Sequence, residues 1–318
     1  MANIALIFPG QGSQSVGMGK EFYDHFPESK EVFNRADDIL GFPLSDLIFN
    51  GPKEELQKTE NAQPALLTTS VAIIKGLRKE GLVKELGDEY FPKACAGHSL
   101  GEFTAYTFAL SLSFEEALKT VRKRGELMAG ADPEKKGAMA AIIGLDDSVV
   151  EDICKTASQE ALVIPANYNC PGQLVISGDR RGVEKAVELA KEQKAKMTVI
   201  LEVSGAFHSP LIESAGREFE SFLSNISFKQ PNIPVISNVT ADQIPLNDIK
   251  ASLVKQMQSP VLWKKSVDKM IDMGIDTFIE VGAGKVLQGL VKKTNKKVTT
   301  LGVDTLGSLE KCLEKLKS

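Results

Sequence analysis

Histidine, cysteine and tryptophan are scarce in this chain of 318 residues, which carries three, four and one of them. No two of the cysteines, Cys95, Cys154, Cys170 and Cys312, stand at CxxC spacing. A structural zinc site or a redox dithiol therefore has little to build on, and no metal is expected. An excess of one charge is also missing: 38 Lys and Arg stand against 42 Asp and Glu, for a net charge of -4. Without a global basic field there is nothing to hold a nucleic-acid backbone by counterion release, so a nucleic-acid partner is not expected. No apolar stretch approaches the roughly 18 residues that a membrane span requires. The opening MANIALIFPGQ lacks a basic leader, and its apolar run stops at Pro9-Gly10, unlike a signal peptide. These absences lead us to expect a soluble cytoplasmic protein without a membrane partner. With 42% hydrophobic residues, the chain is long enough for one large domain or about two ordinary ones.

What is present alternates between two periodicities. Residues 4–8 form a short apolar run ended by Pro-Gly, the pattern of a strand buried on both faces of a parallel sheet. The glycine-rich turn GQGSQSVGMG follows it. Over 63–79, Leu66, Leu67, Val71, Ile74 and Leu77 recur at helical spacing. A second strand is expected over 93–97, and helices over 101–109 and 114–128. Between about 130 and 203 the pattern becomes compact: strand 137–144, helix 146–158, strands 162–168 and 173–177 around a turn at 169–172, helix 179–193, strand 197–203. That βαββαβ order is the order of a split-βαβ, ferredoxin-like unit. Beyond it we expect helix 210–223, strand 233–238, a helix opened by Ser259-Pro260 and running to about 273, strand 277–281, a helix to 292 and strand 298–303. The expected class is α/β: a large unit with a parallel sheet, residues 1–129 and 204–318, interrupted by a small ferredoxin-like unit, residues 130–203.

The sharpest chemical signal is Gly97-His98-Ser99-Leu100-Gly101, a GxSxG between a short apolar strand and a helix. A nucleophile elbow needs that context, because a sharp turn exposes the serine hydroxyl while the helix N-terminus faces developing negative charge. An ordinary glycine-rich turn is the competing reading. A serine nucleophile needs a base, and the three histidines leave a small choice. His98 adjoins Ser99, where an elbow directs it away from the hydroxyl, and His25 lies in a polar stretch resembling a solvated helix end. His208, in SGAFHSP, sits in a loop between strand and helix, where catalytic side chains are commonly placed. A capping or buried, satisfied histidine is the alternative there. No aspartate stands out as a third member, since Asp132, Asp146, Asp147, Asp152 and Asp179 all fall in or beside the inserted unit.

Two phosphate-loop readings fail on spacing. Gly10 and Gly12 begin a GxGxxG whose third position is Ser15, and GAGK at 282–285 lacks both the earlier glycine and the following Ser or Thr. Of the cluster Arg122-Lys123-Arg124, at most one member is expected to point inward, where it would hold an anionic group.

Seven motifs in order, IFPGQGSQ (7–14), GHSLGEFTA (97–105), RKRG (122–125), NYNCPGQLVISG (167–178), SGAFHSP (204–210), KQMQSPVLW (255–263) and EVGAGKVLQGL (280–290), resemble those of the malonyl-CoA:acyl carrier protein transacylases. The likeness spans essentially the whole chain. It implies an α/β-hydrolase-like large domain with a ferredoxin-like insert, Ser99 as the acyl-carrying nucleophile and His208 as its base. It further implies an oxyanion hole from the backbone N–H groups of Gln11 and Leu100, and Arg124 paired with the malonyl carboxylate. Gln256 matches the position whose backbone carbonyl orients the histidine, in a stretch less fixed than GHSLGE. His98, Asn167, Asn169 and Phe207 fall near the site with roles left open. Leu100 and Ala206-Phe207-His208 are of the malonyl type.

The expected reaction is transfer of malonyl from malonyl-CoA to the phosphopantetheine thiol of acyl carrier protein, by a monomer with no cofactor. The alternatives are a polyketide-pathway acyltransferase acting on a separate carrier, or a serine thioesterase or other hydrolase with the same Ser and His. Carriers of this kind are acidic, so a net acidic enzyme needs a local exception. Lys285, Lys292 and Lys293 lie in a run from 281 to 303 that has no acidic residue and are the candidate docking patch, a solvated helix end being the alternative.

Overall fold

The computed structural model describes residues 2–81, 92–134 and 136–317. Among these residues nine strands form two separate sheets: β1 (Ile4–Phe8), β2 (Ala94–Gly97), β3 (Gly137–Ile143), β4 (Val163–Cys170), β5 (Gln173–Asp179), β6 (Met197–Ile200), β7 (Val235–Ile236), β8 (Thr277–Val281) and β9 (Thr299–Val303). The larger sheet has the order β7-β2-β1-β8-β9, with every pairing parallel. β1 at its centre is buried along its whole length, and the two-residue period sorts its side chains. Ile4, Leu6 and Phe8 join one apolar cluster, while Ala5 and Ile7 join another on the opposite face.

The smaller sheet is antiparallel, in the order β4-β5-β3-β6. Helices Asp147–Ala157 and Arg180–Glu192 follow β3 and β5. Ala138, Ala140 and Ile142 of β3 pack in the small unit's own cluster with residues of those helices, whereas Met139 and Ala141 belong to the main core. The sheet thus has one face for its own helices and one for the large unit. The chain enters the small unit from helix Phe114–Gly130 and leaves it through 201–207; Gly137 lies so close to the return segment that a Cβ there would stand 2.7 Å from the Ala206 nitrogen.

Several expected boundaries move. Ser259-Pro260 ends a helix, Ile249–Gln258, and the following one, Trp263–Asp272, starts only after Leu262. The proline forces Ser259 into extended backbone, φ -114° and ψ 154°, which closes the earlier helix. That earlier helix escaped notice because its buried stripe, Ile249, Ser252, Leu253, Gln256 and Met257, has helical spacing but two polar members. The β4-β5 turn is shorter than expected, so Asn169 lies within β4. β6 stops at Ile200, and β7 has only two residues. Helix Lys20–His25 supplies the helix end expected at His25, while helices Pro27–Leu40, Leu44–Asn50, Lys53–Gln57 and Leu306–Lys317 have no counterpart in the sequence pattern described above.

Candidate active site

Ser99 stands in the turn between β2 and helix Gly101–Phe108, at φ 49°. The flanking glycines are demanded by close approach: a Cβ on Gly97 would lie 1.9 Å from the Gly101 carbonyl carbon, and one on Gly101 would lie 2.2 Å from the Phe8 oxygen. Asn238, just beyond β7, clamps the turn. Its Oδ1 accepts the Ser99 N–H at 2.6 Å and its Nδ2 donates to the Gly97 carbonyl at 2.7 Å.

Ser99 Oγ is 2.9 Å from His208 Nε2, and His208 Nδ1 is 2.8 Å from the Gln256 carbonyl oxygen. A carbonyl can only accept, so Nδ1 carries the proton and Nε2 is left to accept from the serine hydroxyl. His208 is buried and held at φ 58°, with its N–H on the Met257 carbonyl. Burial, with the nearby positive charge of Arg124 added, pushes its pKa down to about 3, so the imidazole is neutral at ordinary pH. The aspartates passed over as third members of a triad take no part: Asp132, for one, accepts from the Lys136 and Gly137 N–H groups.

Of the basic cluster only Arg124 turns inward. Arg122 pairs with Glu126, whereas Arg124 is 1% exposed on helix Phe114–Gly130. Its Nη1 donates to Gln63 Oε1 at 2.8 Å, and its Nη2 to Ser99 Oγ at 3.0 Å and Gln256 Oε1 at 2.9 Å. Its Nε has no partner among the described residues. Burial lowers its pKa to about 10, which leaves it charged at neutral pH. A fixed cation thus adjoins the hydroxyl.

Gln11, in the turn after β1, and Leu100, at the N-terminus of helix Gly101–Phe108, line the same cavity of about 540 Å³ as Ser99, His208 and Arg124. Among the described residues neither backbone N–H donates to another protein group, so both are unspent donors of residues that line the cavity. Asn167 and Phe207 also line this cavity, as do Val199 to Val203 of β6 and the return segment. His98 is turned to Asn169, with Nε2 2.9 Å from its Oδ1, and packs against Trp263. His25 is exposed at a helix end. The three candidate docking lysines are exposed and outside the cavity. Lys292 Nζ donates to the Lys296 and Val298 carbonyls, and Lys293 Nζ to Gln173 Oε1.

Three residues of the constellation were missed in the sequence: Gln63, Glu102 and Asn238. Gln63 and Glu102 carried a readable signal, a long amide or carboxylate side chain buried among apolar and small hydroxyl ones on their helices. Among the described residues no group of three or more His, Cys, Asp or Glu is placed to hold a metal ion.

Residues 5–314 match the acyl transferase domain family. The chain is 48% identical over 319 residues to the malonyl CoA-acyl carrier protein transacylase of Bacillus subtilis, covering 100% of this chain and 98% of the relative. It superposes on the crystal structure of malonyl CoA-acyl carrier protein transacylase from Clostridium perfringens with a TM-score of 0.93 at 43% identity, covering 99% and 98% of the two chains. A malonyl-transacylase solved in complex with its type II PKS acyl-carrier protein gives a TM-score of 0.94 at 38% identity, covering 99% of this chain and 100% of that one.

Proposed function

Because the chain belongs to the acyl transferase family, among the malonyl CoA-acyl carrier protein transacylases, we propose that it transfers malonyl from malonyl-CoA to acyl carrier protein through an ester on Ser99. The observation that carries this reading is the buried Arg124 guanidinium, 3.0 Å from a serine hydroxyl that also faces a neutral imidazole. A site for an uncharged acyl group has no use for a desolvated cation beside its nucleophile.

In the first half-reaction His208 Nε2 takes the Ser99 proton as Oγ attacks the thioester carbonyl. The oxyanion accepts from the Gln11 and Leu100 N–H groups, the C–S bond breaks, and the CoA thiolate leaves with the proton from His208. The Gln256 carbonyl holds the imidazole and stabilises its charged form, the task of a triad carboxylate. In the second half-reaction the phosphopantetheine thiol gives its proton to His208 and attacks the ester, and Ser99 regains a proton as its C–O bond breaks. Arg124 pairs with the malonyl carboxylate throughout. Every proton is handled by His208, so the scheme requires no metal or cofactor.

The finer readings go with it. The strand order and the βαββαβ succession support a ferredoxin-like small unit over about 130–203, set into an α/β-hydrolase-like unit of 1–129 and 204–318. The three exposed lysines are its candidate carrier-docking surface, and we assign the enzyme to the cytoplasm as a monomer. No helix among the described residues is long and apolar enough to cross a membrane.

The test is intact mass after incubation with malonyl-CoA, then with carrier. A malonyl adduct that moves to the carrier thiol is expected, and Ser99→Ala should form none. An adduct persisting in that variant would place the nucleophile elsewhere, and loss of malonyl to water at the same rate without carrier would make the protein a hydrolase.

A further inference from the structure

Glu102 handles no proton and touches no acyl group in this scheme, yet it is fully buried on the first turn of helix Gly101–Phe108. Its Oε2 accepts from the Asn238 N–H at 3.0 Å and from Gln256 Nε2 at 2.7 Å, while Oε1 has no partner among the described residues. Gln256 Nε2 also donates to the Ser99 carbonyl, at 3.0 Å. With two acceptors on the nitrogen side and Arg124 Nη2 on the oxygen side, only one orientation of the amide satisfies every partner. Glu102 thereby fixes which end of Gln256 faces Arg124.

The polar partners of Arg124 are Gln63, Gln256 and Ser99, all neutral. A desolvated guanidinium without an opposing charge is costly, and the carboxylate whose field reaches it is Glu102, one amide away. We propose that Glu102, in its ionised form, is the resting counter-charge of Arg124, relayed through the Gln256 amide, and that it is driven to its protonated form by uptake from solvent when a malonyl carboxylate occupies Arg124. The inference rests on the malonyl reading above. Two carboxylates sharing one buried cation cannot both stay ionised, because the second negative charge has nothing to offset its desolvation. The bare Oε1 is where the proton goes.

The other ionisable groups around Glu102 do not compete for this role. Tyr106, on the same helix, and Cys95, on β2, are pushed up by burial and stay neutral, and His208, hung from the Gln256 carbonyl, is held neutral from below. Burial opposed by the Gln256 and Asn238 contacts leaves Glu102 at about 7, within reach of a small perturbation.

The test is calorimetry of malonyl-CoA binding to the Ser99→Ala protein near neutral pH, in buffers of different ionisation enthalpy, which counts protons exchanged. Uptake on the order of half a proton is expected, falling to near zero when Glu102→Gln is added, since glutamine keeps an acceptor for Gln256 and Asn238 but cannot titrate. Equal uptake in both proteins would assign the proton to His208 and overturn the proposal, as would binding with no uptake in Ser99→Ala alone. Absence of any binding would instead defeat the malonyl reading on which it stands. Should Glu102→Gln not fold, the single variant suffices. Its uptake should vanish about two pH units lower, where Glu102 is already protonated, and uptake persisting there would also overturn the proposal.

Discussion

Ser99 and His208 face each other across 2.9 Å, and both are held in left-handed backbone, at φ 49° and 58°. That conformation costs a non-glycine residue about 1 to 2 kcal/mol, so each has to be held by its surroundings. Ser99 is held by Asn238, and His208 by its N–H on the Met257 carbonyl and its ring on the Gln256 carbonyl.

Asn238→Ala removes the acceptor of the Ser99 N–H and the donor to the Gly97 carbonyl in a fully buried place. Orphaning these groups should cost about 2 to 4 kcal/mol, read from urea unfolding. Malonyl and acetyl transfer should fall by the same factor, because Asn238 touches neither acyl group. A selective loss of malonyl transfer would show that the elbow also reads the substrate.

The depressed pKa of His208 has two consequences of known sign. Its neutral form is the base, so labelling of Ser99 by an uncharged organophosphonate should persist well below pH 6, with an acid midpoint far under the roughly 6.5 of a free imidazole. A midpoint near 6.5 would mean that water screens the site. The unfolded histidine binds a proton below about 6.5 and the folded one only near 3. The native state therefore binds fewer protons in that window, and stability is lost as pH falls through it. His208→Gln should flatten that part of a Tm-against-pH curve.

Arg124→Ala should lower kcat/KM for malonyl-CoA by roughly two to three orders of magnitude, since the carboxylate then enters a dry site without its partner. Acetyl transfer should be spared or improved, because an uncharged acyl group has no ion pair to lose and no longer has to sit against a guanidinium. Parallel assays of both donors on one carrier settle this, and equal losses would reduce Arg124 to a scaffold for Ser99 Oγ.

Lys293→Glu should raise the KM for the carrier about threefold to tenfold with kcat unchanged and weaken its salt dependence. Lys292→Glu should do the same and also lower Tm slightly, because Lys292 ties down the Lys296 and Val298 carbonyls. A carrier KM that stays salt-sensitive but ignores both changes would put the docking surface elsewhere.

The core of the site was legible because its geometry is local. A GxSxG after an apolar run states its own turn, and with three histidines in the chain the choice of base was narrow. Gln256 needed the family likeness, since its role runs through a backbone carbonyl that no side chain advertises, on a helix whose buried stripe carries Ser252. Asn238 left no trace, because the strand before it has two residues and its partners are far away in the sequence. The parallel sheet followed from alternating elements. Three of the four helices between 20 and 58 did not, as segments of five to seven residues broken by Gly51 and prolines give no sustained period, whereas Pro27–Leu40 carries a helical stripe, Ser29, Val32, Phe33 and Ala36, that was overlooked.

Arg124 lies shortly before the chain departs for the small unit, and His208 shortly after it comes back, with the outgoing and returning segments touching at Gly137 and Ala206. Ser99, Arg124 and His208 are anchored in the large unit, while Val199 to Val203, which line the same cavity, belong to β6 and the segment leading back. The cavity is therefore a joint product of two sheets packed on one core, Met139 and Ala141 lying in the same cluster as Phe8 and Phe103, so a substitution on β6 can reshape it without touching Ser99, His208 or Arg124.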